Sequence, residues 1–366
     1  MEDSQLPAGL AGQIAHLEQI DEERAGQLRH EALTAPVPWT AEYGLYQSGG
    51  WWTASLMNAT GNAADVTIRD CDAAPTDLLK HMPATAELLA GLGLSYMWVR
   101  LARLEPNAFL WEHRDYHELH QVERHRLHLP LRTNSSAFLV TGGTKVHLAA
   151  GGLWRLAPAH AHGVCNLLGP DRIHLIADVY PDGAYRRLAA KASLHRSQIE
   201  PLPAAPPNVL NDRLAAARRL ASRGFTDAAE RLLLRLFYRH AMPEGTIYDL
   251  IAQMYAGSGD SQTASRWLST KNTLLAHGPA PGPPPDDKET EEKLQQARRR
   301  STPHQTLRIF QLLSDHSFCV AGEAVGEAFG VAAQGGGEGL LQGEGGRDDP
   351  GVRDGGTAAG LPLPVE

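Results

Sequence analysis

Between residues 108 and 180 the sequence is divided into short segments by groups of turn-forming residues. These groups are Asn134-Ser135-Ser136, Gly142-Gly143, Gly151-Gly152 and Gly169-Pro170-Asp171. Short strands separated by turn residues at such intervals are typical of an all-β sandwich or barrel. The sequence therefore predicts that this region folds mostly as β-strands.

Two of these segments alternate between polar and apolar residues, as a strand with two different faces does. In residues 126–131 the leucines share one face, and the same alternation recurs in residues 172–179. The opposite faces carry Arg126 and His128 with Pro130, and Arg172, His174 and Asp178 with Ile176. A barrel that holds a polar ligand needs a polar inner face, so we expect these side chains to point inward.

The chain before this region is predicted to mix helices and strands. Hydrophobic spacing and proline positions predict helices over residues 10–35 and from Pro75 to about residue 92. Strands are predicted at residues 43–46, 51–56, 65–69 and 96–104, the first two joined as a hairpin by Gln47-Ser48-Gly49-Gly50.

After a stiff Pro-rich linker at residues 201–207 the pattern changes to short helices. These are predicted at residues 210–223, 226–240, 246–255 and 261–276, paired as helical hairpins. From residue 335 the chain is Gly-rich and acidic, a composition that cannot bury a core. The predicted division is a mostly β domain at 1–200 with its core at 94–182, a helical domain at 207–277, and a linker with possible short helices and a disordered tail at 278–366.

Composition restricts the classes of partner and compartment. The 366 residues carry a formal charge of −8, which gives no electrostatic basis for binding nucleic acid or an anionic membrane. An acidic N-terminus and the lack of a long apolar run predict neither a signal peptide nor a membrane helix. The three cysteines (Cys71, Cys165 and Cys319) are too scattered for a disulfide framework and indicate reduced thiols in the cytoplasm.

The segment Trp111-Glu112-His113-Arg114-Asp115 contains a candidate metal site. Residues two apart on an extended chain point the same way, so His113 and Asp115 can bind one ion, with His162 as the candidate third ligand. Two histidines and one carboxylate form the facial triad of non-heme Fe(II) oxygenases. A chain with 17 histidines produces some His-x-Asp pairs by chance, and a zinc site is the competing metal interpretation.

Arg172 follows His162 by ten residues, with the turn Gly169-Pro170-Asp171 between them. The two residues can therefore lie on neighbouring antiparallel strands. A guanidinium in this position can hold the distal carboxylate of 2-oxoglutarate through a paired, charge-assisted contact. Arg126 and His128 are candidates for contact with the carboxylate nearer the metal.

These residues resemble the aspartyl/asparaginyl β-hydroxylase family of Fe(II)/2-oxoglutarate dioxygenases, and within it the bacterial proline hydroxylases. The motifs that carry the resemblance are His113-Arg114-Asp115-Tyr116-His117-Glu118-Leu119, the pattern of Trp154, Leu156, His162, Val164 and Asn166, and more loosely Gly50-Trp51-Trp52 and residues 56–61. The likeness covers residues 10–275 and includes a C-terminal helical region.

The resemblance implies a cupin-like double-stranded β-helix (a jelly roll) with flanking helices. It implies His113, Asp115 and His162 as iron ligands and Arg172 as the residue that binds the 2-oxoglutarate carboxylate, while Arg126 and His128 stay candidate 2-oxoglutarate contacts from the residue pattern. The implied reaction uses O2, with ascorbate as a reductant in vitro, to hydroxylate free L-proline or a close analogue while releasing succinate and CO2. Asp115 supplies the ligand carboxylate that animal protein hydroxylases of this family lack, which favours a small-molecule substrate and argues against halogenation.

Three other interpretations remain open at this point. The substrate can instead be a peptide-linked or carrier-linked residue of the Asp/Asn type. The chain can be a non-catalytic cupin-like binding module, although an intact triad together with Arg172 argues against that. The helical region can be a protein-interaction scaffold, although two helical hairpins are fewer than a stable solenoid needs.

Overall fold

The structure, a computed structural model, describes residues 7, 9–42, 46–115 and 122–276. In chain order the strands are β1 (Ile14–Gln19), β2 (Thr40–Ala41), β3 (Trp51–Asn58), β4 (Ala74–Pro75), β5 (Tyr96–Leu104), β6 (Ala108–Phe109), β7 (His125–Arg132), β8 (Ala137–Thr141), β9 (Thr144–Val146), β10 (Gly152–Leu156), β11 (His162–Asn166), β12 (Arg172–Val179) and β13 (Ile199–Pro201). The helices are α1 (Leu10–Gln13), α2 (Glu22–Thr34), α3 (Pro83–Leu92), α4 (Gly183–Ala189), α5 (Pro207–Ala221), α6 (Thr226–Leu234), α7 (Thr246–Ala256) and α8 (Ser261–Leu274).

The strands form two antiparallel sheets. The eight-stranded sheet has the order β1-β10-β7-β12-β5-β3-β2, with β4 also paired to β3. The five-stranded sheet has the order β13-β9-β8-β11-β6. The predicted β fold with flanking helices is confirmed, and it places β7 and β12 side by side at the centre of the larger sheet.

Each sheet has one face toward the other sheet and one face toward helices. The outward leucines of β7 (Leu127, Leu129 and Leu131) belong to a core that includes Leu28 of α2 and Leu88 of α3. Full burial of such a side chain contributes about 1.5–3 kcal/mol. This outer core requires the other face of β7, with Arg126 and His128, to point between the sheets, as the alternation predicted.

The outer face of the smaller sheet packs on the C-terminal helices. Phe109, Phe138 and Cys165 share one core with Leu233 of α6 and Trp267 of α8. The helices at residues 207–274 agree with the predicted helical region, while the division at 201–207 into two domains stays a prediction. Among the described residues, none of the helices is long and apolar enough to cross a membrane.

Several predicted boundaries were right. The strand predicted at 96–104 is β5, and the one predicted at 51–56 is the first part of β3. Four of the C-terminal helices begin within three residues of the predicted positions. The predicted strand at 43–46 lies largely outside the described residues, as do the proposed tail at 278–366 and its short helices.

The single helix predicted over residues 10–35 was wrong. Its middle is strand β1, which pairs with the edge of β10, and the helix α2 begins only after Asp21, whose carboxylate accepts a hydrogen bond from the Arg24 backbone N–H. Pairing with a free sheet edge satisfies the backbone of Ile14–Gln19, and this tertiary interaction outweighs the local periodicity.

Before residue 96, two further predictions were wrong in part or whole. Residues 65–69 form no strand, because the Asp65 backbone carbonyl and carboxylate instead hold a turn with Asn58 and Thr67. Most of the first strand of the predicted hairpin lies outside the described residues; within them β3 pairs with β2, and Gln47 bridges to Leu110. The helix predicted from Pro75 begins at Pro83, after a 3₁₀ helix at Asp77–His81.

Candidate active site

His113 and His162 are held side by side by the backbone. His113 lies beyond β6, and it exchanges two backbone N–H to carbonyl bonds of 2.9 Å with His162 at the start of β11. The backbone N–H of Asp115 donates to the carbonyl of Pro158 at 3.0 Å. These bonds attach the segment 111–115 to the edge of the smaller sheet, so three residues that are distant in sequence share one site.

The side chains of these residues converge. His113 Nε2 is 3.3 Å from Asp115 Oδ1, and His162 Nε2 is 3.5 Å from Asp115 Oδ2. Their side chains are only 3–4% exposed. Within the described part of the chain, His113, Asp115 and His162 form the one group of three His, Cys, Asp or Glu side chains whose ligand atoms all lie within 4.8 Å of one another.

Both imidazoles are fixed by backbone carbonyls. The Nδ1 atom of His113 is 2.6 Å from the carbonyl oxygen of Trp111, and that of His162 is 2.9 Å from the carbonyl oxygen of His160. A carbonyl can only accept, so the proton of each neutral ring is on Nδ1 and the Nε2 lone pair faces Asp115. This is the arrangement by which proteins orient histidine ligands of metals.

A buried ion-pair network lies behind Asp115. Arg126 donates to Asp115 and also, from Nε at 3.0 Å, to Asp178. Arg100 Nη1 donates to the other oxygen of Asp178 at 3.0 Å. Burial raises the pKa of Asp115, but the charge of Arg126 and the polar contacts with the two histidines outweigh it and hold that pKa well below its usual range. Asp115 is therefore ionised.

A second cluster lies further along the inner face of the larger sheet. Arg172 Nη2 is 2.9 Å from His174 Nδ1, and the Nδ1 atoms of His174 and His128 are 3.5 Å apart. The three residues are 1–3% exposed. Among their buried nitrogens, Arg172 Nη1, His128 Nε2 and His174 Nε2 have no hydrogen-bond partner among the described residues.

Burial controls the protonation of this second cluster. It lowers the pKa of Arg172 to about 9, which leaves the guanidinium charged at neutral pH. Burial, followed by the charge of Arg172, lowers the pKa of both His128 and His174 well below the usual value. The cluster therefore consists of one cation and two neutral imidazoles.

The residues present fit a metal ion and an anionic cosubstrate. Ligands bound at about 2.1 Å on adjacent corners of an octahedron stand about 3 Å apart, close to the distances between Asp115 and the two histidines. The unpartnered Nη1 of Arg172 is the kind of buried donor that an incoming carboxylate would satisfy. Two imidazoles and one carboxylate suit non-heme iron, although zinc also binds such a set.

The site residues predicted from the sequence divide into two groups. His113, Asp115 and His162 come together, and Arg126 contacts one of them directly. Arg172 and His128 lie together in the second cluster rather than beside the three ligand candidates. Asp178 forms the structural pairs expected of it, and the Asn166 side chain donates to the carbonyl oxygens of Leu104 and Pro170.

The sequence analysis did not select Arg100 or His174 as site residues. Arg100 is a lone charge in the otherwise apolar centre of β5, which is a detectable signal of a buried ion pair. His174 shares a strand face with Arg172, and only the pairing of β12 with β7 shows that it also lies near His128. The motif residues 116–119 lie outside the described part of the chain.

A cavity of about 200 Å³ lies elsewhere, between the smaller sheet and the C-terminal helices. It is lined by Glu112 and Arg114 and by His160 and His240, but by none of the three ligand candidates. We therefore assign the candidate active site from the side-chain geometry between the sheets.

Comparisons with known proteins identify similar sequences. Residues 13–181 match the family model described as aspartyl/asparaginyl beta-hydroxylase. The chain is 26% identical over 261 residues to L-proline cis-3-hydroxylase 1 of a Streptomyces species. The aligned region covers 68% of this chain and 89% of that protein. The resemblance predicted from the sequence is thereby confirmed.

Solved structures give weaker likenesses. An oxidoreductase of the 2OG-Fe(II) oxygenase family from Burkholderia pseudomallei is 17% identical with a TM-score of 0.32, over 48% of this chain and 82% of that one. A prolyl-4-hydroxylase from Pseudomonas putida is 16% identical with a TM-score of 0.31, over 48% and 96% of the two chains.

Proposed function

We propose that this chain, whose residues 13–181 match the family model described as aspartyl/asparaginyl beta-hydroxylase, is an Fe(II)- and 2-oxoglutarate-dependent dioxygenase that hydroxylates a free amino acid. L-Proline or a close analogue is the proposed substrate, because the relative from Streptomyces is named for that amino acid. The products would be the hydroxylated amino acid, succinate and CO2.

The convergence of His113, Asp115 and His162 is the observation that carries this proposal. Two Nε2 lone pairs and one ionised carboxylate face the same point, and carbonyl oxygens and Arg126 hold them there. Such an arrangement presents three ligands on one side of an ion and leaves its other side open for cosubstrate and O2. A non-catalytic binding module has no need of it.

The proposed cosubstrate site lies along the inner face of the larger sheet. Arg172, a buried cation with an unpartnered Nη1, would bind the distal carboxylate of 2-oxoglutarate. Arg126 and His128 lie on β7 between that end and the metal ligands, and they are the proposed contacts for the carboxylate nearer the metal. The buried walls between the two sheets would exclude water from the reacting atoms.

Each protein group has a defined part in this scheme. Bound iron and 2-oxoglutarate would together supply the oxidising chemistry, in which one oxygen atom of O2 enters the substrate and the other enters succinate. His113 and His162 orient the metal through fixed Nε2 atoms. Arg126 keeps Asp115 ionised and oriented, because it donates to one of its oxygens. Arg172 fixes the cosubstrate, so that chemistry occurs at one position.

Succinate formation tests this proposal directly. The purified chain is incubated with Fe(II), ascorbate and 2-oxoglutarate across a panel of free amino acids, and succinate and hydroxylated product are measured together. We expect L-proline or a close analogue to stimulate both equally. Asp115→Ala, which removes one ligand, should reduce both products to background, while Asp77→Asn on the surface should leave them unchanged.

The alternative substrates give different outcomes. Succinate release that no free amino acid stimulates would retain the iron and 2-oxoglutarate assignment and move the substrate to a peptide-linked or carrier-linked residue. An absence of turnover combined with an absence of Fe(II) and 2-oxoglutarate binding would overturn the proposal. Binding of Zn(II) with no binding of Fe(II) would favour the zinc interpretation.

A further inference from the structure

His174 is a buried histidine that lies beside Arg172 on the inner face of β12. It is 1% exposed, and its Nδ1 atom is 2.9 Å from Arg172 Nη2. Its ring also contacts His128 edge-on, with ring centroids 5.7 Å apart. A polar ring in this position has to place two nitrogens in a region closed to solvent.

The contact with Arg172 determines where the imidazole proton lies. A guanidinium has donors and no acceptor, so the nitrogen that faces it must be an unprotonated acceptor. Burial and the charge of Arg172 keep this histidine neutral by lowering its pKa well below the usual value. The single ring proton is therefore on Nε2, and His174 is a fixed donor on that side.

That donor has nothing to donate to among the described residues. His174 Nε2 is buried without a hydrogen-bond partner, and so is Arg172 Nη1 on the adjoining guanidinium. A buried donor left unsatisfied costs about 1–3 kcal/mol, so an apolar side chain would make a better wall at this position. Arg172 and His174 contact each other, and each leaves one buried donor unused. A carboxylate, with two acceptor oxygens, has the chemistry to accept from both.

We infer that His174 recognises the distal carboxylate of the 2-oxo acid together with Arg172, as a specificity-determining residue of the cosubstrate site. Through Nδ1 it fixes the orientation of the guanidinium, and through Nε2 it donates to one carboxylate oxygen while Arg172 donates to the other. The inference rests on the proposed function, since it names how the same site distinguishes a dicarboxylate from a monocarboxylate 2-oxo acid.

Two substitutions separate the two roles of the ring. In His174→Asn the amide oxygen replaces Nδ1 as acceptor for Arg172, and the donor is lost. In His174→Gln the longer amide places a donor near the position of Nε2, and the acceptor beside Arg172 is lost. His174→Leu removes both. His125→Asn is the control, since His125 stacks on Tyr185 on the outer side of β7.

The measurement is the Kd of 2-oxoglutarate for the Fe(II)-loaded full-length chain, determined anaerobically by calorimetry. The second ligand is 2-oxopentanoate, which has a methyl group in place of the distal carboxylate. A hydrogen bond to a charged group contributes about 1.5–3 kcal/mol, which corresponds to roughly a 10–100-fold change in Kd. We expect His174→Asn and His174→Gln each to raise the Kd of 2-oxoglutarate by about 10-fold or more, and His174→Leu to raise it further.

Comparison with 2-oxopentanoate, which lacks the distal carboxylate, makes the test specific. All three variants should bind 2-oxopentanoate as the unchanged protein does and should retain equal iron, because His174 is expected to contact only the distal carboxylate. An Asn variant with the unchanged Kd for 2-oxoglutarate would overturn donation from Nε2. Equal weakening of both ligands, or no weakening of either, would overturn the whole inference.

Failure of the proposed function would give a different result from failure of the His174 inference alone. In that case the unchanged protein itself binds no 2-oxoglutarate after loading with Fe(II), and the inference fails with it. If the unchanged protein binds 2-oxoglutarate and the variants match it, the inference alone is wrong. His174→Leu is compared with the control in thermal unfolding, and the Asn and Gln variants give the answer even if the Leu variant does not fold.

Discussion

Two buried clusters on the inner face of the larger sheet differ in how their charges are balanced. Near the metal ligands, the carboxylates of Asp115 and Asp178 offset the guanidiniums of Arg126 and Arg100. At the other cluster, no carboxylate of the described residues forms an ion pair with Arg172, and its polar neighbours are two neutral histidines. The two clusters are buried to a similar extent, but only the first has its positive charge offset by carboxylates. This difference indicates that the first cluster stabilises the fold and that the second is completed by a ligand.

The largest effect is expected at the balanced cluster. Asp178→Asn removes a carboxylate that both Arg100 and Arg126 contact, and it leaves the buried positive charge of these two guanidiniums with less compensation. Breaking a buried pair from one side costs about 3–5 kcal/mol, so the free energy of unfolding should fall by about that amount. Urea denaturation measures the change, and Asp77→Asn, on an exposed ion pair, should produce no measurable change. A small effect for Asp178→Asn would contradict the structural role of the network.

Ligand binding should stabilise the protein in two separable steps. A ligand that binds only the folded state at 100 times its Kd adds about 2.7 kcal/mol. Fe(II) should supply one such increment and 2-oxoglutarate a second, both visible as a rise in the thermal midpoint under anaerobic conditions. Arg172→Met should retain the increment from Fe(II) and lose the one from 2-oxoglutarate. Loss of both increments in this variant would mean that the two clusters are not independent.

Arg172→Met should have little effect on the ligand-free protein. Methionine fills much of the same volume without a buried charge, so we expect a loss below about 1 kcal/mol or a gain in stability. The pKa of Arg172 determines the direction in which stability changes with pH. Burial lowers the pKa of Arg172 to about 9 from its usual 12.5, so the unfolded state binds more protons between these values. Stability from this group therefore rises with pH above about 9, and the variant should lack that rise in chemical denaturation.

The smallest effect concerns His174 in mild acid. Its pKa in the folded state is lowered by burial and by Arg172, so the unfolded state takes up a proton first as the pH falls below 6.5. The contribution of this histidine to stability is present above pH 6.5 and is lost as the pH falls toward its folded pKa. His174→Asn should therefore lose less stability than the unchanged protein between pH 7 and 5. A steeper loss in the variant would contradict a neutral ring.

The sequence predicted the direction of individual side chains better than the contacts among them. The alternation in β7 and β12 correctly indicated that Arg126, His128 and Arg172 point inward, because strand alternation is a local property. It did not reveal that Arg126 is engaged by Asp115 and Asp178, since that depends on the pairing of β7 with β12 and on the position of segment 111–115. The separation into a balanced and an unbalanced cluster was therefore invisible in the sequence.

The errors in the fold have the same origin. Residues 14–19 have helical spacing, yet they form β1 because the edge of β10 offers backbone partners that the local sequence does not reveal. Local patterns predict elements well when burial and backbone pairing are satisfied within the pattern, as in β5 and α7, and poorly when a distant strand satisfies them.

The sequence by itself determined the β-rich class, the inward faces of β7 and β12, and a set of ligand residues typical of one oxygenase family. These follow from alternation, turn residues and side-chain chemistry, which are local. Only the tertiary structure decided which side chains meet: that His113 pairs with His162 through the backbone, that Asp178 contacts two arginines, and that His174 lies between Arg172 and His128. Such contacts join strands far apart in the chain, and hydrogen bonding between sheet neighbours fixes them.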